Sequence, residues 1–207
     1  MPSGGSNSTS DLPRAVGAAD LSVLVRYSHI FATTIREILD TKLLREVSPV
    51  PLSVSQFHVL KLMSAGGSHQ VGQVADFLGV SAPAASKNID KLEGLGLVVR
   101  SRSSGDRRAM LLSVSPDGRR LVEEYERLIR ARLWPVLGDF SPDEVAQFST
   151  LLERFSVSLL EHEPPEEGFC LRCAAYVELG CPVGRVRGGC PYQTFHAAAS
   201  KPPGGAA

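Results

Sequence analysis

The run SAPAASKNIDKLEGLGLVVRSRSSGDRRAMLLSV, residues 81–114, constrains the fold more than any other part of the chain. Ser81 suits an N-cap and Pro83 is tolerated in a first turn, so a helix opens there. Ala85, Ile89 and Leu92 recur at helical spacing and point inward; Pro83, Lys87 and Asp90 point the opposite way, with Ser86 on the flank. Gly94 and Gly96 end the helix. The apolar runs LGLVV and AMLLSV then read as two strands of a hairpin. Between them lies RSRSSGDRR, with four arginines and one acid. A helix with a polar outer face beside an arginine-tipped hairpin suits a major groove and the neighbouring backbone or minor groove at once. Double-stranded DNA is therefore the expected partner.

Charge supports a local surface rather than a basic protein. The 207 residues carry a formal net charge of zero. Residues 82–108 hold six Lys/Arg (87, 91, 100, 102, 107 and 108) against three acids (90, 93 and 106). Apolar content of 43% and charged content of 21% are those of a globular chain long enough for a real core. No apolar run is long enough to span a membrane. The start, MPSGGSNSTSDLP, lacks the basic and apolar regions of a secretory signal, so a cytoplasmic location is expected.

The surrounding segments read as helices. Leu21, Leu24, Val25, Phe31, Ile35, Ile38, Leu39 and Leu43 give helical spacing over 20–47, broken by the prolines of SPVPLS. Ser53 and Gln56 fit a capping box that opens a helix to about Ser64, with Phe57, Leu60 and Met63 inward. A short helix over 70–78 buries Val71, Val74, Ala75 and Leu78, and Gly79-Val80-Ser81 forms a tight turn before the next helix. This is a helix-turn-helix, and the hairpin makes it winged. Ser115-Pro116-Asp117 starts a helix running to about Trp134, before Pro135. Ser141-Pro142-Asp143-Glu144 starts another with a full capping box. Val145, Phe148, Leu152, Phe155 and Leu159 recur along it at steps of 3, 4, 3 and 4, a seam that wants a partner helix. Trp134 and Phe140 are expected to plug the junction of the last two long helices. The long apolar helices exceed what one small module can cover, so a homodimer is expected, and paired readers suit two half-sites.

These residues resemble the multiple antibiotic resistance regulator (MarR) family of winged-helix transcription factors over roughly residues 20–162. The likeness rests on LSVSQFHVLKLM (52–63), QVADFLGVSAPAASKNIDKLEGLGLVVR (73–100) and GDRRAMLLSVSPDGRRL (105–121). The resemblance implies a mainly α fold with a small β-hairpin, a winged helix-turn-helix flanked by long dimerisation helices. It implies a recognition helix over 82–95, with Ser81 and Pro83 at its start and Ser86, Lys87 and Asn88 facing the major groove. Ser and Asn can bond base edges, and Lys can bond guanine or phosphate. In the wing, Asp106 and Arg108 match the family's Asp-x-Arg pair, in which the acid holds the guanidinium extended toward the minor groove or its phosphates. Arg107 and Arg102 read as backbone contacts.

The four cysteines depart from that pattern. Cys170, Cys173, Cys181 and Cys190 all fall in one stretch of 21 residues, and the 169 residues before them have none. A cytosolic chain disfavours disulfides. Four thiolates can hold an iron–sulfur cluster or close a tetrahedral zinc site. Proline follows Cys181 and Cys190, as it follows one ligand in bacterial ferredoxin runs, which favours the cluster; a redox dithiol switch is the third reading. The chain thus divides into a disordered arm (1–19), the winged helix with its dimerisation helices (20–162, DNA-binding core 53–114), a cysteine-rich metal-binding tail (163–195) and a disordered end (196–207). The expected function is transcriptional regulation and not catalysis. A repressor released by a small-molecule effector, or by a redox or metal change at the cysteines, is the leading form. The alternative is a cluster-bearing redox or electron-transfer protein that uses the winged helix for protein interaction.

Overall fold

The computed structural model describes residues 17–64, 67–102, 110–163, 169, 173 and 181–186. Its elements follow the sequence expectation closely: mainly helix, with one two-stranded sheet. Helix α1 (Ala18–Thr34) passes without a break into a π-helical stretch, Ile35–Leu43, and then α2 (Leu44–Val47). Ser48 turns the chain out of the helix ahead of Pro49 and Pro51. Helix α3 (Val54–Ser64) opens on the expected capping box. The Ser53 N–H donates to Gln56 Oε1 at 3.0 Å, and the Gln56 N–H to Ser53 Oγ at 3.3 Å.

Helices α4 (Val71–Leu78) and α5 (Ala82–Gly94) make the helix-turn-helix. Gly79 takes a left-handed conformation in the turn between them (φ 62°), where a side chain would be strained. The hairpin pairs β1 (Val98–Arg102) with β2 (Met110–Val114) antiparallel, with Val98 opposite Val114 and Arg102 opposite Met110. His69 adds an isolated bridge to Leu112, with backbone bonds of 2.9 and 2.8 Å in the two directions, so the segment before α4 lies along the hairpin.

The core lies under this module. Leu60, Leu62, Val74, Ala85, Ile89, Leu92 and Leu112 are all fully or nearly fully buried. Helix α3 is buried on more faces than the sequence suggested. Gln56, His58, Val59 and Leu62 are inside as well as Phe57, Leu60 and Met63, because α3 runs between α5, β2 and α6 (Pro116–Leu137). Helix α6 closes the module through Leu121, Val122 and Tyr125, whose ring tilts against Phe57 at 4.4 Å. Its first turn lies so close to Leu97 that a Cβ on Gly118 would sit 2.3 Å from the Leu97 carbonyl oxygen. The glycine of Ser-Pro-Asp-Gly is there for space.

Helix α6 runs through Pro135 to Leu137 rather than stopping at Trp134. A proline in a last turn removes a single hydrogen bond and keeps a helical φ, so the exposed end absorbs it. Trp134 and Phe140 do not plug a junction: they are 78% and 52% exposed. Helix α7 (Pro142–His162) has the expected Ser141/Glu144 capping box. Phe148 of α7 meets Phe31 of α1 edge to face at 5.8 Å, yet neither helix has a buried residue. A last turn, α8 (Val183–Val186), sits on α7.

Candidate nucleic-acid interface

Ser81 does what a cap residue does: its hydroxyl accepts the Ala84 N–H at 3.4 Å. The helix it opens presents Pro83, Lys87 and Asp90 to solvent, all exposed, while Ala85, Ile89 and Leu92 are sealed below. Ser86 and Asn88 lie half-buried on the two flanks. The Asn88 amide donates to the Ala84 carbonyl of its own helix at a long 3.4 Å. The structure therefore brings Ser81, Pro83, Ser86, Lys87 and Asn88 together on the first half of α5. The far end of the helix closes with bonds from Gly96 N–H to Glu93 O (2.8 Å) and Leu97 N–H to Leu92 O (2.9 Å), with Gly96 at φ 73°.

Ser115 ties the hairpin to that end. Its hydroxyl donates to the Gly96 carbonyl at 2.7 Å and accepts the Gly118 N–H at 3.0 Å, so one side chain joins the α5–β1 corner, the end of β2 and the start of α6. Strand β1 carries Val98 inward at 1% exposure; Arg100 and Arg102 follow on the same face of the strand. Arg102 is exposed at the end of the strand. Asp106, Arg107 and Arg108 lie outside the described residues, as do Cys170 and Cys190.

The role of Arg100 was missed in the sequence. It counted toward the basic excess, but its guanidinium is engaged by the protein itself. One Nη bonds Asp90 Oδ1, and the other lies 3.1 Å from Glu93 Oε2. Two signals could have found it. Alternation from Val98 puts Arg100 on the helix-facing side of the strand, and the two acids stand three apart on α5.

Farther from α5, the base of the module holds a second group of polar contacts. The Tyr125 hydroxyl donates to the Leu39 carbonyl at 3.0 Å, inside the π-helical stretch. Burial, and secondarily the nearby Asp40 carboxylate, push the Tyr125 phenol well above its usual range. Burial also raises the Asp40 carboxyl above its ordinary value, with Arg36 and Lys61 pulling partly the other way. An open crevice of about 450 Å³ lies between the Val47–Val50 turn, the α5–β1 corner and α6, with Arg120 held by Asp117 at its rim. In the tail, Cys181 is half-buried and Cys173 exposed. Val183 is buried, and Arg185 pairs with Glu153 of α7 at 2.6 Å. No described helix is long and apolar enough to cross a membrane.

Comparison with known proteins agrees with this geometry. Residues 50–109 match the sequence model of the MarR family. Among solved structures, FabT of Streptococcus pneumoniae, determined in complex with DNA, is 21% identical with a TM-score of 0.58, over 70% of this chain and 100% of FabT. A MarR family protein from Bacillus stearothermophilus is 25% identical with a TM-score of 0.52, over 68% of this chain and 94% of that one. A mutant of MepR from S. aureus, bound to an oligodeoxyribonucleotide, is 20% identical with a TM-score of 0.52, over 67% of this chain and 97% of MepR. MarR transcription factors are regulators and not enzymes. Residues 50–109 are thus similar in sequence to the MarR family model, and about two thirds of the chain is similar in fold to these winged helix-turn-helix structures.

Proposed function

We propose that the protein is a dimeric, sequence-specific DNA-binding regulator of transcription, acting as a repressor. The observation that carries this reading is a helix-turn-helix whose second helix, α5, exposes Lys87 and is tied to β1, which ends on exposed Arg102, by the ion pairs of Arg100 with Asp90 and Glu93. Helix α5 enters the major groove, where Ser86 and Asn88 reach base edges and Lys87 reaches guanine or phosphate. Arg102, Arg107 and Arg108 hold the flanking backbone or minor groove, with Asp106 extending Arg108. That FabT and MepR have been solved with DNA supports the same use of the fold here. Alanine at Arg108 is expected to weaken duplex binding more than tenfold, a loss above about 1.4 kcal/mol. Unchanged affinity in a titration removes Arg108 from the interface.

Dimerisation is supported by the bare apolar faces of α1 and α7. Leu21, Tyr27, Ile30, Phe148, Leu151 and Leu159 are each more than half exposed in one chain. The base so formed sets the separation of two recognition helices, which must approach one DNA turn, about 34–36 Å. Release follows when that separation shifts. A small molecule in the crevice beside α6 is one source.

The four cysteines are the other: Cys170, Cys173, Cys181 and Cys190 are assigned as ligands of an iron–sulfur cluster, with zinc as the alternative. Thiolates suit either metal. The turn after Cys181 rests on α7 through Val183 and Arg185, so a change at the thiolates reaches the base directly. The visible absorption spectrum of anaerobically purified protein separates the cases. A broad chromophore means a cluster, a colourless protein with bound zinc means a staple, and neither means a thiol switch.

A further inference from the structure

We propose that Arg100 is a positioning residue of the interface, which neutralises the two acids of the recognition helix and fixes the wing against it. The inference rests on the DNA-binding reading above. Asp90 and Glu93 lie three residues apart on α5, and Arg100 reaches across from β1 to hold both, one with each Nη. Its side chain is 26% exposed, less than either acid at 56% and 39%. It is laid down on the helix and does not extend into solvent.

Two consequences follow for DNA. First, Asp90 stands one turn beyond Lys87 on the outward face of α5, where an unpaired carboxylate repels phosphate. Within the helix, Lys87 and Lys91 only balance Asp90 and Glu93. Arg100 is the cation that turns this balance positive. Second, two residues beyond Arg100 the strand ends at Arg102. Pinning Arg100 to α5 therefore sets the angle at which the wing leaves the recognition helix. A planar fork can hold two carboxylates at once; a lysine ammonium, as a point charge, holds them less well. Exposed ion pairs contribute little to stability, so the value of this one lies in geometry and charge.

The rival reading, that Arg100 leaves the acids and binds a phosphate itself, makes different predictions. The test titrates a labelled mixed-sequence duplex, long enough for two half-sites, with the full-length protein at low and rising salt. Arg100→Gln is expected to weaken binding about tenfold in the native background. It should weaken binding less than about threefold in the Asp90→Asn/Glu93→Gln background, because the two changes act through one contact. Arg100→Lys should fall between native and Gln. The slope of log affinity against log salt should stay at the native value, whereas loss of a direct phosphate contact lowers it by about one. Equal losses in both backgrounds, or a slope reduced by one, overturn the proposal. If the native protein binds no duplex, it is the DNA reading that fails. The pinning of the wing is then judged by amide exchange over 98–102: faster exchange in Arg100→Gln supports it, and unchanged exchange overturns it.

Discussion

Helices α3 and α7 are both apolar, yet they live in opposite surroundings. Seven of the 11 residues of α3 are buried, and none of the 21 in α7 is. The difference lies in partners. Helix α3 finds α5, α6 and β2 within its own chain. Helix α7 has Phe31 and the α8 turn on it and still leaves Phe148, Leu151, Phe155 and Leu159 largely open. One half of the molecule is therefore complete as a single chain. The other half leaves its apolar faces open in one chain, the faces that the proposed dimer would cover, so on that proposal the division separates DNA reading from its control.

The largest effect on folding belongs to the finished half. Leu60→Ala removes a fully buried side chain and should cost about 2–5 kcal/mol, read by denaturant unfolding. A loss under half a kcal/mol would mean that the core does not depend on α3. Phe148→Ala should act mainly on association. It should weaken the dimer about tenfold, near 1.4 kcal/mol, in sedimentation or light scattering, while the winged module stays folded. Equal damage to folding and association would erase the distinction between the halves.

The smallest expected effect sharpens the boundary between them, where Asp40 lies beside the Tyr125–Leu39 bond. The folded-state pKa of Asp40 is raised, chiefly by burial, so its ionised form opposes folding. The folded state holds that proton more tightly than the unfolded chain. Stability is thus lost as pH rises from the ordinary carboxylate value through the raised one, and no loss occurs below both. Asp40→Asn should remove that slope and leave a flatter pH dependence of unfolding. An unchanged slope assigns the effect to another group.

Much of this was legible because it is local. Ser53 with Gln56, Ser81, Ser115 and Ser141 with Glu144 are caps whose partners lie three residues away, and each forms as expected. The inward positions of α5 followed from helical spacing for the same reason. What was hidden depends on distant groups. The π-helical stretch keeps an amphipathic pattern while shifting its hydrogen bonds, and its Leu39 carbonyl meets a tyrosine 86 residues away. Arg100 looked like one more cation of the wing until the fold placed it between Asp90 and Glu93. Trp134 and Phe140 looked like plugs because they are large and apolar, and in one chain they stand exposed.

The most direct test of the central claim is the stoichiometry and salt dependence of duplex binding by the full-length protein, measured in one titration series. The account predicts two chains per bound duplex and an affinity that falls linearly in log–log form as salt rises, through release of counterions from the phosphates met by α5 and the wing. No binding at low salt, or one chain per duplex with no salt dependence, would contradict it.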